Sequence, residues 1–216
     1  MARQFALLGP CWAVDLAVES RCLGGDMTMP AGNAGNAAER SLLPSIAAFV
    51  GLYAALALPV LWRQEVPLTW LLASVVLALP LAALSAIDVR QYRLPDVLTL
   101  PLAAAGVLVS WWFAPASLWW TIASMVIGFA LLAGVGMLYR RLRGRDGLGL
   151  GDAKLFAASG AWLGLEGLPG VLLVACGAAI LALLVAAWRS QISATTRVPF
   201  GPFLAFGTWI IWLYGA

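Results

Sequence analysis

Of 216 residues, 62% are apolar and only 11% are charged, against roughly 45–50% and about 25% in an ordinary soluble domain. So few charges cannot clothe a water-soluble surface, and the sequence is that of an integral membrane protein. The complete absence of His excludes Ser-His and Cys-His nucleophile pairs and His-ligated metals, and a net charge of +3 is read loop by loop rather than as a nucleic-acid signal.

Residues 1–40 stand apart as an N-terminal tail. They hold Arg3, Asp15, Glu19, Arg21, Asp26, Glu39 and Arg40 and a Gly/Asn/Ala stretch, with no lasting helical period. Disorder is the expectation there. Phe5 to Val14 is apolar but short and is broken by Pro10, which disfavours a cleaved signal peptide. Met27 and Met29 offer alternative starts. Cys11, Cys22 and Cys176 show no CxxC spacing, so neither a zinc knuckle nor a disulfide framework is expected.

Residues 41–216 form the membrane domain. Seven apolar runs follow one another: Leu42–Trp62, Pro67–Ile87, Val97–Ala114, Leu118–Tyr139, Ala153–Leu165, Val171–Trp188 and Val198–Tyr214. None alternates polar and apolar residues as a barrel strand would, so the class is all-α and polytopic, with about seven spans and a range of six to eight. The fifth run is short; it either starts earlier, near Leu148, or is re-entrant. With the N-terminus in the cytoplasm and every run spanning, all Lys and Arg residues except Arg63 fall inside. Most of the tryptophans, from Trp62 and Trp70 to Trp209 and Trp212, then fall near outer helix ends, as an interfacial belt would. The arginines at 140, 141, 143 and 145 suit anionic lipid headgroups.

The acids separate into two groups. Asp15, Glu19, Asp26 and Glu39 lie in the tail, Glu65 and Glu166 in outer turns, and Asp146 in a basic loop; each reads as a solvated loop charge. Asp88, Asp96 and Asp152 lie at cytoplasmic helix ends. Asp96 follows Pro95 and reads as an N-cap. Asp88 ends an apolar helix, where the dipole disfavours an anion by roughly 0.3–1 kcal/mol. An acid so placed is a functional candidate by default. Asp152 closes Gly147-Leu148-Gly149-Leu150-Gly151-Asp152, whose glycines leave the backbone open to close approach by another chain. The string is no phosphate loop, since neither GxxxxGK[ST] nor GxGxxG is matched. Two carboxylates that meet can share a proton and activate water. Lys154, the only lysine, makes a Ser–Lys pair the weaker option, since no motif surrounds Ser85. Lys154 is instead expected to bring its charge to Asp152, which makes Asp152 the base and Asp88 the acid.

The strings around these acids carry a resemblance. Ile87-Asp88-Val89-Arg90-Gln91-Tyr92-Arg93-Leu94-Pro95-Asp96 and the residues to Leu102 resemble the first signature of the type IV prepilin peptidases. Gly149-Leu150-Gly151-Asp152-Ala153-Lys154, running on to Gly164, resembles their GxGD motif with its following lysine. Val198-Pro199-Phe200-Gly201-Pro202-Phe203-Leu204-Ala205 looks like their C-terminal element. The resemblance runs from about the second helix to the end of the chain. It implies a GxGD aspartic-protease-like helix bundle with Asp88 and Asp152 catalytic. Gly149 and Gly151 would leave room for substrate beside the acids, with Lys154 and Asp96 as motif residues. The implied reaction is removal of the basic leader from prepilins or pseudopilins at the cytoplasmic face of a bacterial inner membrane. No metal or organic cofactor is implied. Many members also methylate the new N-terminus and carry a paired-CxxC loop; this chain lacks those motifs, so a peptidase without methylation is the expectation. The competing class is a small polytopic transporter or assembly scaffold, which would need a polar path that the helix middles barely offer.

Overall fold

The computed structural model describes residues 31–63, 66–144, 148–188 and 198–215. The tail up to residue 30, with Cys11 and Cys22, lies outside the described residues, as do Glu65, Arg145, Asp146, Arg189 and Arg197. By contacts the chain divides into Met1–Arg40 and Ser41–Ala216, and the bundle belongs to the second unit. The described helices are α1 (Ala31–Arg63), of which only the part from Ser41 belongs to that unit, α2 (Leu68–Gln91), α3 (Asp96–Phe113), α4 (Leu118–Arg143), α5 (Leu150–Trp188) and α6 (Gly201–Tyr214), with a short 3-10 turn at Pro115–Ser117. α1 begins inside the segment read as tail. The described secondary structure is entirely helical, as the unalternating apolar runs require.

Local chemistry places the ends. Pro67 and Pro95 hold extended backbone just before α2 and α3, and a proline there fixes the entry without losing a helical donor. α4 ends on Gly144 in the left-handed region, with Arg140, Arg141 and Arg143 in its last turn facing the negative end of the dipole. Pro59, Pro80 and Pro101 lie within helices, as expected of runs packed in lipid and protein.

α5 holds two of the expected runs and turns back on itself. Gly164 has φ 68° and ψ −177°, a conformation essentially confined to glycine. Before it, the chain runs alongside α3, from Lys154 beside Asp96 to Trp162 on the Leu102 carbonyl. After it, Gly170 lies against Ile211 and Ala175 against Gly207, so this arm runs back along α6. The short fifth run is therefore one arm of a helical hairpin. Residues 155 to 162 of that arm are buried without exception. An all-round apolar helix is a buried one.

The other helices alternate in direction around this arm. Asp88 meets Gly201 and Ser74 meets Trp212, so α2 and α6 are antiparallel. α4 is antiparallel to the buried arm, with Gly128 beside Phe156 and Gly160 beside Ser124. Small residues permit this closeness: a Cβ on Gly160 would come 2.8 Å from the Ser124 carbonyl oxygen, and one on Gly207 would come 2.5 Å from that of Val171. Among the described residues, five helices are long and apolar enough to cross a membrane: Leu42–Trp62, Leu68–Gln91, Asp96–Phe113, Pro115–Arg143 and Leu150–Trp188. Seven segments are expected from the sequence; α6, at 14 residues, is shorter than a free-standing span, and α5 contains two of the seven. The protein is a multi-pass membrane protein.

The hairpin makes a specific demand on Gly164. Gly164→Ala should lower the unfolding midpoint in detergent, at a cost of about 1–3 kcal/mol from backbone strain. Gly177→Ala, equally free of neighbours but without a positive φ, should leave the midpoint unchanged or raise it. Equal midpoints for both variants would contradict the hairpin.

Candidate active site

Asp88 lies in the last turn of α2 and is only 4% exposed. The helix stops at Tyr92, which adopts a left-handed φ of 52° and donates its N–H to the Asp88 carbonyl. The side chain points toward α6, and Oδ2 accepts a hydrogen bond from the Gly201 N–H at 3.0 Å. The carboxylate thus sits at the C-terminal end of one helix, which disfavours it, and at the N-terminal end of another, which favours it. A Cβ at position 201 would come 2.6 Å from Oδ2, so the contact requires glycine. Sequence reasoning assigns Gly201 no role beyond its place in the C-terminal element, and the structure makes it the partner of Asp88. The signal that marks it is a Gly-Pro pair at a helix start, where Pro202 needs no donor and Gly201 offers one unshielded.

Asp152 is 8% exposed and is the third residue of α5. Its own N–H bonds the Gly149 carbonyl, and its carboxylate takes a backbone hydrogen bond from Gly149, as an acid in the first helical turn can. Oδ1 is buried without a partner among the described residues. Such an orphan costs about 1–3 kcal/mol or more, and marks a place where something else binds or reacts.

The two acids come from helices distant in sequence and line one cavity of about 550 Å3, together with Tyr92, Arg93, Gly149, Gly151 and Phe200. A larger cavity, about 820 Å3, lies at the other end of the bundle and touches neither acid.

Of the remaining sequence candidates, Asp96 and Lys154 do not line this cavity. Asp96 is not an N-cap: Pro95 holds that position and Asp96 is the first helical residue, with no capping hydrogen bond. Its carboxylate instead takes Lys154 in a forked pair, Nζ lying 2.7 and 2.8 Å from the two oxygens. Lys154 is therefore committed to Asp96 rather than to Asp152, because a side chain on α5 beside the head of α3 reaches that carboxylate across the helix gap. The pair is partly exposed, so its worth is at most about 1 kcal/mol. Gly149 and Gly151 do line the cavity, but Gly151 also makes room for the protein's own Leu94, whose Cβ would lie 3.0 Å from an added Cβ. Among the described residues no three Cys, Asp or Glu side chains gather as a ligand set.

The sequence is similar to those of known proteins. The family model of the type IV leader peptidase family matches residues 75–186, a stretch that holds both acids. A protein of Burkholderia pseudomallei (strain 1026b) named prepilin leader peptidase/N-methyltransferase is 46% identical over 136 residues, 63% of this chain and 44% of that protein. A Pseudomonas aeruginosa protein of the same name is 39% identical over 144 residues, 66% of this chain and 49% of its own. One from Xanthomonas campestris is 38% identical over 146 residues, 66% and 50% of the two chains. The chain spans about half the length of the curated relatives it matches. No solved structure matches. With its family model covering more than half the sequence and both buried acids inside the match, the chain belongs to the type IV leader peptidase family.

Proposed function

We propose that this protein is an aspartic endopeptidase that removes the basic leader peptide from type IV prepilins or pseudopilins. The observation that carries the reading is the unequal pair of buried carboxylates on one cavity. Each takes a backbone N–H at a helix N-terminus, Asp88 from Gly201 and Asp152 from Gly149, but Asp152 also keeps a buried oxygen unpartnered among the described residues. Asp88, held by Gly201, is the carboxylate that takes a proton from water. Asp152 carries the shared proton and presents it from Oδ1 to the carbonyl oxygen of the scissile bond. This reverses the roles expected from sequence, since Lys154 serves Asp96. Water oxygen bonds to the carbonyl carbon, its proton passes to Asp88, and Asp152 protonates the developing oxyanion. The tetrahedral intermediate then collapses: one of its hydroxyl protons returns to Asp152, the C–N bond breaks, and the proton on Asp88 leaves with the amine.

Membrane placement follows the charge count. The arginines at the C-terminal end of α4, together with Arg90 and Arg93, share the end of the bundle that holds the acids, which supports a site toward the cytoplasm of a bacterial inner membrane. The transporter alternative needs a polar path between the ends. The buried hydroxyls in the middle, Ser159 and Thr208, bond each other and carbonyls of their own helices, which favours a closed interior. The proposal covers leader removal; the second activity in the relatives' names is not assigned to this chain.

Co-expression with a prepilin tests the pair. Asp88→Asn and Asp152→Asn should each lower cleavage at least about 100-fold, roughly 2.7 kcal/mol of barrier, at unchanged membrane levels. Wild-type processing in either variant would refute the assignment. Gly201→Ala should cut cleavage about tenfold or more by displacing Asp88, whereas Lys154→Met should cost only a few-fold, as befits an exposed pair. The reverse ranking would return the lysine to the active site. A cysteine at Arg143 should react only with reagent that reaches the cytoplasm, and one at Ser117 only with reagent outside; the opposite labelling would invert the topology.

A further inference from the structure

The larger cavity lies at the end of the bundle remote from the acids, and its chemistry differs from theirs. Trp70, Trp162 and Trp212 form its aromatic walls, Trp120 stands at its exposed rim, and Glu166 is the one charged side chain lining it among the described residues. The walls are fixed in advance. Trp162 donates its indole N–H to the Leu102 carbonyl at 2.8 Å, and Trp212 donates to Ser74 Oγ at 2.8 Å. Trp162 and Trp212 meet edge to face at 88°, and Trp212 stacks on Trp70 at 9°. With these polar edges occupied and Trp212 engaged by both neighbours, a guest meets only the ring surface that the three leave toward the cavity. Aromatic walls with one carboxylate and no cation select an ammonium group: ring faces attract a positive charge and Glu166 pairs with it. A phospholipid headgroup without an ammonium would bring its phosphate toward Glu166 with no positive charge to offset it. The volume, about 820 Å3, is that of a ligand site, and exposed apolar rings at Phe113 and Trp120 continue the lining toward lipid.

We propose that this cavity binds the headgroup of an ethanolamine phospholipid from the surrounding leaflet, its ammonium between the tryptophans and Glu166 and its chains along the apolar rim. Full-length protein, stripped of lipid in detergent, is offered equal amounts of phosphatidylethanolamine and phosphatidylglycerol with the same acyl chains, and retained lipid is counted by native mass spectrometry. Phosphatidylethanolamine should be retained at least about fivefold over phosphatidylglycerol. Glu166→Gln, an exposed change that leaves the core alone, should remove that preference, and Trp70→Leu should weaken it. Equal retention of both lipids, or a preference that survives Glu166→Gln, would overturn the proposal. Glycerophosphoethanolamine, the headgroup without chains, should fail to displace the lipid at millimolar concentration; displacement would make this a site for soluble amines and overturn the lipid assignment.

Discussion

A carboxylate buried in an apolar bundle must find a donor, and Asp88 finds its donor on a residue 113 positions away. This one hydrogen bond ties the end of α2 to the start of α6. It places a helix N-terminus against a charge that its own helix disfavours, and the two dipoles offset each other at that oxygen. The tie also explains why position 201 has no side chain: any Cβ would fall on the carboxylate. The cavity shared with Asp152 depends on this contact, since it sets where one of the two acids points.

Closeness elsewhere in the bundle comes from the same device. In lipid, helices gain little by hiding apolar surface from one another, so association relies on backbone approach and internal hydrogen bonds. Gly160 and Gly207 let α4 and α6 come within contact of the two arms of α5. Ser159 and Thr208 bond at 2.7 Å between the buried arm and α6. The buried arm of α5 carries Asp152 at its head, so the packing that seats the arm also seats the acid. Reversal at Gly164 lets a run too short to be a comfortable span lie at the centre of the bundle, covered by neighbours.

The tryptophans divide by environment. Trp62, at 93% exposure, Trp112 and Trp119 face outward as an interfacial belt requires. Trp209 is 3% exposed and donates to the Tyr53 carbonyl, so it is a core residue that joins α6 to α1. Trp70, Trp162 and Trp212 turn toward one another and build the walls of the second cavity. One residue type thus serves lipid contact, core packing and a pocket at the same end of the protein.

The all-helical class, the membrane setting and the two acids were legible in the sequence. Run length and missing charge are one-dimensional properties, and Asp88 and Asp152 stand out because acids are costly at the ends of apolar helices. The positions of the helices were nearly as plain, since prolines and glycines punctuate the runs. The partners were not legible. Lys154 stands two residues from Asp152 in sequence, yet the first turn of α5 carries its side chain toward α3, where it meets Asp96 instead. The role of Gly201, the reversal at Gly164 and the inward turn of three tryptophans likewise came only with the tertiary structure. Each depends on which helix lies across the gap, and a short apolar run carries no record of its neighbour, because every face of it is equally suited to burial.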